Sequence, residues 1–188
     1  MPDPHASTPM SVPVPRGQHL VRGAKYATCK ASLLALGATF ELVSAMVPEM
    51  KDEVSRWEDG RKVGIGVLPG GPFITIENRG GAIRYVGSGL KDTDLNVLFK
   101  NLDSAVLIFT GQLGSAQAVA ENRVCVHGDN SKAMQVTRSL ALVQTYLFPG
   151  IILRNTFKRP PALSASQLAT KAAIMAMLVP KLAAISFR

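Results

Sequence analysis

The sequence predicts an α/β (α+β) domain built on five short strands, with helices before and after them. Three observations predict it. Apolar residues recur at intervals of three and four over residues 26–47, the spacing of one helix face. Between residues 63 and 100 the period changes to two, in short runs separated by glycine-rich or proline-rich turns. After residue 100 helical spacing returns, interrupted by one further strand. Connections between the alternating runs are short, so an antiparallel meander is the expected topology.

Each element has its own reason. Residues 1–24 carry Pro2, Pro4, Pro9, Pro13 and Pro15 among Ser and Gly, a composition that predicts a flexible leader outside the core. In the first helix Leu33, Leu36, Phe40, Val43 and Val47 form one stripe. Pro48 suits the first position of a second helix, where a missing N–H costs little, and Glu49, Asp52 and Glu53 complement its positive end; the helix stops before Gly60. Strands are expected over 63–67, 73–77 and 82–86, divided by Pro69-Gly70-Gly71-Pro72 and Asn78-Arg79-Gly80-Gly81. Leu95, Val97 and Phe99 mark a fourth.

Short helices over 102–110 and 115–121 flank Gly111-Gln112-Leu113-Gly114, and Val124-Cys125-Val126 is the fifth strand, ended by Gly128-Asp129. A helix over 131–147 offers Met134, Leu140, Ala141, Val143 and Leu147 for burial, and Pro149-Gly150 ends it. The last helix, over 166–187, takes Ser166 as its N-cap, is apolar around most of its girth and contains Pro180. The chain thus divides into a leader at 1–24, N-terminal helices at 25–60, a main domain at 61–160 and a C-terminal apolar, basic helix at 161–188.

A chain of 188 residues, 47% hydrophobic and 18% charged, is enough for one core. No uninterrupted apolar run reaches the roughly 18 residues of a membrane span, and the start lacks the apolar region of a secretory signal. The expected location is the cytoplasm. The net charge of +8 is unevenly placed: residues 1–129 contain 13 Lys+Arg and 13 Asp+Glu, and no acidic residue follows Asp129. Such polarity points to an anionic partner surface. Acidic lipid head groups fit better than nucleic acid, because the C-terminal cations lie among aliphatic residues with no aromatic-basic stacking pattern. Arg154, Lys158, Arg159, Lys171 and Lys181 are the candidate membrane-surface residues.

Catalytic chemistry is hard to assemble from this chain. Cys29 and Cys125 are far apart and form no CxxC pair, so both are expected to be reduced and packed. His5, His19 and His127 are scattered and make neither a triad nor a metal set. His127 and Asp129 form the one conceivable acid–base pair, yet no nucleophile motif stands beside them, and a satisfied edge histidine is expected. Gly64-Ile65-Gly66 resembles half a dinucleotide fingerprint but leads through a proline turn into a strand. No enzyme activity, cofactor or metal is expected.

From Asp94 to Lys158 the pieces follow a particular order. The strand Asp94-Leu95-Asn96-Val97-Leu98-Phe99-Lys100 runs into a short helix ending in Thr110-Gly111-Gln112-Leu113, and a second short helix follows. Then come the strand Asn122-Arg123-Val124-Cys125-Val126-His127-Gly128-Asp129 and a longer helix. This order resembles the sterol carrier protein type-two-like lipid-binding domain, over residues 60–158. The resemblance implies a five-stranded, mostly antiparallel sheet covered by helices, with a hydrophobic tunnel for a fatty acyl, sterol or isoprenoid/quinone-type lipid. Gly111 and Gly128 would end a helix and a strand where a side chain would obstruct the turn. Val106, Phe109, Leu113, Val119 and Met134 would project apolar atoms inward, and Ile174, Met175 and Leu178 of the last helix would also meet lipid.

The ending Ser186-Phe187-Arg188 is not a peroxisomal tripeptide, and the extra N-terminal helices resemble the stand-alone bacterial members, some of which are lipid-binding accessory factors in quinone biosynthesis. The expected function is therefore non-catalytic binding or transfer of a hydrophobic ligand, peripheral at the inner face of the membrane. The alternative is a scaffold with a filled core whose C-terminal helix docks a partner or a second copy as a homodimer. On the first reading that helix is a lid or membrane contact; on the second it is an ordinary core helix.

Overall fold

The computed structural model describes residues 16–150, 152–153 and 163–186. Five strands, β1 (Lys62–Val67), β2 (Phe73–Arg79), β3 (Ala82–Ser88), β4 (Leu95–Phe99) and β5 (Val124–His127), form one sheet in the order β3-β2-β1-β4-β5. Six helices accompany it among the described residues: α1 (Arg16–Met46), α2 (Pro48–Val54), α3 (Leu102–Phe109), α4 (Ser115–Ala120), α5 (Asn130–Leu147) and α6 (Ala165–Ser186). The sheet is mixed and mostly antiparallel, with helices packed on it.

The strands fall where their alternation places them, but the meander stops after β3. β4 lies beside β1 and parallel to it, with Val63 opposite Leu95 and Val67 opposite Phe99. The cause is the connection over residues 89–94, which runs back across the outer face of the sheet. Thr75 Oγ1 donates to the Gly89 carbonyl at 2.7 Å and accepts from the Lys91 N–H at 3.2 Å. The Asp94 N–H reaches the Lys62 carbonyl at 3.0 Å. The chain therefore enters β4 at the end where β1 begins, and the pair must be parallel. This covering segment also explains Gly64: a Cβ there would lie 2.2 Å from Asn96 Oδ1 and 2.6 Å from Leu90 Cδ2.

On the inner face Val63, Ile65, Val67, Ile74, Ile76, Ile83, Tyr85 and Leu95 are buried against the helices. The α1 stripe Leu33, Leu36, Phe40, Val43 and Val47 is buried as its spacing predicts. The helix begins at Arg16, well inside the predicted leader, because the prolines end at Pro15 and nothing after it blocks a helix. Residues 1–15 lie outside the described residues. α1 also closes the β3 edge of the sheet: Ser44 Oγ accepts the Ile83 N–H at 3.1 Å and Glu41 Oε1 accepts the Tyr85 N–H at 2.7 Å. Edge donors that would otherwise seek another strand are thereby satisfied.

α6 lies on α1, with Ile174 and Ile185 buried in the common core. Its N-cap is Ser164 rather than Ser166. Ser164 Oγ accepts the Gln167 N–H at 3.3 Å while Gln167 Oε1 accepts the Ser164 N–H at 2.9 Å, a reciprocal box that Ser166 could not close. By length and composition two helical stretches, His19–Met46 and Ala165–Ile185, are long and apolar enough to cross a bilayer. Neither is an uninterrupted apolar run: Arg22, Lys25, Lys30 and Glu41 break the first, and Lys171 and Lys181 the second. The first is largely a core helix; the second is only 11% buried.

Candidate functional site

The residues expected to line a tunnel separate into two groups. Val106 and Phe109, half-buried on α3, and Leu113, buried just after it, belong to one apolar cluster, in which the Phe109 ring stands edge-on to Phe99 at 5.0 Å. Val119 and Met134 do not project inward and are 61% and 59% exposed. The buried line of α5 runs through Ala133, Val136, Leu140 and Val143, and Met134 lies off that line. On the six-residue α4 the buried position is Ala118, which turns Val119 outward. Ile174 is fully buried, Leu178 is half-buried beside it, and Met175 faces outward.

Of the five candidate membrane cations, Lys171 and Lys181 lie among the described residues. Arg154, Lys158 and Arg159 lie outside the described residues. Lys171 turns inward, its Nζ donating to the Thr145 and Phe148 carbonyls at 2.7 and 2.6 Å, and burial lowers its pKa. Lys181 pairs with the buried Glu41. Lys132 pairs with Glu58 at 2.8 Å and Arg138 with Glu53 at 3.0 Å. The hydrogen bond from Lys132 is the main cause that lowers the Glu58 pKa. Charges segregated along the sequence are thus brought together in space, and Lys171 and Lys181 present no cationic face.

His127 is exposed on the edge strand. Asp129 caps α5, its Oδ1 accepting the Ser131 and Lys132 N–H groups at 2.8 and 3.1 Å, so its carboxylate has a structural partner set already. Cys29 and Cys125 are free thiols. Burial, and secondarily the Asp103 carboxylate, push the Cys29 thiol up to about 11, which suits a packed and unreactive cysteine. Among the described residues no three of His, Cys, Asp and Glu gather as a metal-binding set.

Among the described residues a concave surface lies where the sequence predicts leader and turn. The first turns of α1 stand over the Pro69-Gly70-Gly71-Pro72 segment and leave a groove of about 750 Å³, adjoined by a smaller cavity of about 190 Å³. Tyr26, Gly70 and Gly71 line both. Val21, Leu68, Pro69 and Leu102 give the larger part an apolar wall, and His19, Arg22 and Lys25 stand among them. Lys25 forms an ion pair with Asp103, tying α1 to α3 at the groove. The smaller part reaches the core at Leu33 and Ile74. Gly70 is in open space on both linings, where a Cβ would meet nothing within 4 Å. The groove's builders come from residues 19–34, 68–73, 88–89 and 101–103, so no local motif announces it.

No family model matches the sequence, and no curated protein matches it. Solved structures do show similarity. A conserved hypothetical protein of Thermus thermophilus, described as possibly a sterol carrier protein, is similar at a TM-score of 0.43 and 15% identity, over 58% of this chain and 80% of that one. A UbiJ-SCP2 ubiquinone synthesis protein is similar at a TM-score of 0.39 and 14% identity, over 68% and 98%. A crystal structure of sterol carrier protein 2 gives a TM-score of 0.43 and 13% identity, over 58% and 93%.

Proposed function

We propose that this protein binds a hydrophobic ligand of fatty acyl, sterol or isoprenoid type without transforming it, and carries or presents that ligand at a membrane surface. The groove along α1 supports the reading. Its volume of about 750 Å³ falls within the range of small-molecule sites, Val21, Leu68, Pro69 and Leu102 give it an apolar wall, and it opens to solvent next to Arg22 and Lys25. Burial of apolar ligand surface supplies affinity at roughly 0.8 kcal/mol per methylene, so no catalytic or metal-binding group is needed. The basic residues Arg154, Lys158 and Arg159 remain candidates for contact with lipid head groups.

Gly70 offers the test. Gly70→Phe adds a ring at a groove-lining position where a Cβ meets nothing within 4 Å. Native mass spectrometry of the full chain purified from cells should show a retained lipid on the parent protein. The variant should lose it, and should take up a fluorescent fatty acid at least tenfold more weakly with its thermal transition unchanged. Equal uptake by a folded variant would remove the groove from consideration.

A further inference from the structure

Along α6 every exposed residue over 165–184 is uncharged. Leu168, Met175 and Val179 form one edge of this exposed arc, 57%, 38% and 73% exposed, and Met177, 38% exposed, stands on its opposite edge. The positions between them are chiefly alanine. The two cations of the helix turn the other way, Lys171 to the end of α5 and Lys181 to Glu41. A helix packed on a water-soluble domain ordinarily carries its charges outward and its apolar stripe inward. α6 is apolar on both sides and keeps its charges underneath.

We propose that this outer face lies against a lipid bilayer, with α6 resting in the plane of the interface and the rest of the domain outside it. The chemistry of the surface sets the choice of occupant. A second copy of the chain is the first competitor. The 22 residues of α6 span about 33 Å at 1.5 Å per residue and are about 10 Å wide, a footprint of roughly 330 Å². That is under half the roughly 800 Å² per partner of a stable protein interface, whereas a bilayer sets no minimum area.

A membrane-spanning α6 is the second competitor. Spanning would withdraw Lys181 from Glu41, Lys171 from its two carbonyls, and Ile174 and Ile185 from the core. It would leave a buried carboxylate without its cation. Lying in the interface preserves all of these contacts and covers only what is already bare. Leucine, valine and two flexible methionines suit the headgroup–acyl boundary, where an apolar helix face buries by roughly 5–10 Å. The attraction is hydrophobic, and anionic lipid is not required for it. The inference is independent of the groove, since it needs no bound ligand.

Flotation of the full chain with vesicles tests it. The parent protein should float with phosphatidylcholine vesicles, and raising the salt should change little, because screening acts on charge pairs and not on apolar burial. Val179→Asp and Leu168→Asp should each lower the partition about tenfold or more, with melting and fatty-acid uptake unchanged. Unchanged uptake separates failure of this face from failure of the groove. The proposal is overturned if the parent protein ignores phosphatidylcholine vesicles, or if the variants float as it does. It is also overturned if binding requires phosphatidylglycerol and vanishes in salt, if α6 resists carbonate extraction as a spanning helix does, or if Val179→Asp dissolves a dimer seen by sedimentation equilibrium.

Discussion

Gly66 shows how much of this fold rests on a missing side chain. A Cβ at that position would lie 2.1 Å from Phe73 Cδ1 and 2.8 Å from the Pro72 carbonyl oxygen. The second contact is backbone, in the turn that also walls the groove, so it cannot be relieved by a rotamer change. Gly66→Ala should therefore destabilise the protein by about 1–3 kcal/mol, the usual cost of overpacking, measured as a lower urea midpoint with the slope unchanged. A midpoint within error of the parent would mean that the turn yields easily. The glycine pair that resembles a nucleotide fingerprint in the sequence thus has a steric role on the outer face of a central strand.

At the scale of elements, one carboxylate joins three of them. Glu41 of α1 accepts the Tyr85 N–H of β3 and pairs with Lys181 of α6. The two members of the ion pair differ in exposure. The Glu41 side chain is 4% exposed and that of Lys181 is 31%, so removing either partner leaves a different remainder. Lys181→Met strands a buried charge and should cost about 3 kcal/mol. Glu41→Gln keeps an acceptor for Tyr85 and leaves a lysine able to reach water, and should cost about 1 kcal/mol. Urea unfolding of the two variants checks the order; equal losses would show that water already reaches the pair. The strands were legible from alternation because each run ends at glycine or proline. The partner of β4 was not, since nothing within residues 95–99 records that residues 89–94 cross the sheet and set β4 beside β1. The outward turn of Val119 and Met134 was hidden for a similar reason: family order locates an element, while its rotation depends on the neighbours that bury it.

For the whole molecule, the basic third of the chain completes the core and the charge balance. Lys132, Arg138 and Lys181 each meet a carboxylate from residues 41–58. Ending the chain after Pro161 would expose the α1 surface beneath Ile174 and Ile185 and leave Glu41 unpaired. The truncated protein should lose its cooperative thermal transition or melt far below the parent; an intact transition would show that the remainder is self-sufficient. The candidate groove was illegible because its parts are far apart in sequence, and because α1 begins earlier than the proline-rich start suggests.

The two rims of the sheet are unlike. On the β3 side Ser44 and Glu41 occupy the backbone donors, while the four-residue β5 ends the sheet on the other side with Val126 and His127 exposed. A sheet that is sealed on one rim can be extended on the other once. Strand addition across β5 would close a twofold pair and then stop, whereas two open rims would let identical chains add without limit. The hydroxyl and carboxylate of α1 therefore withhold the Ile83 and Tyr85 N–H groups from any strand added at that rim.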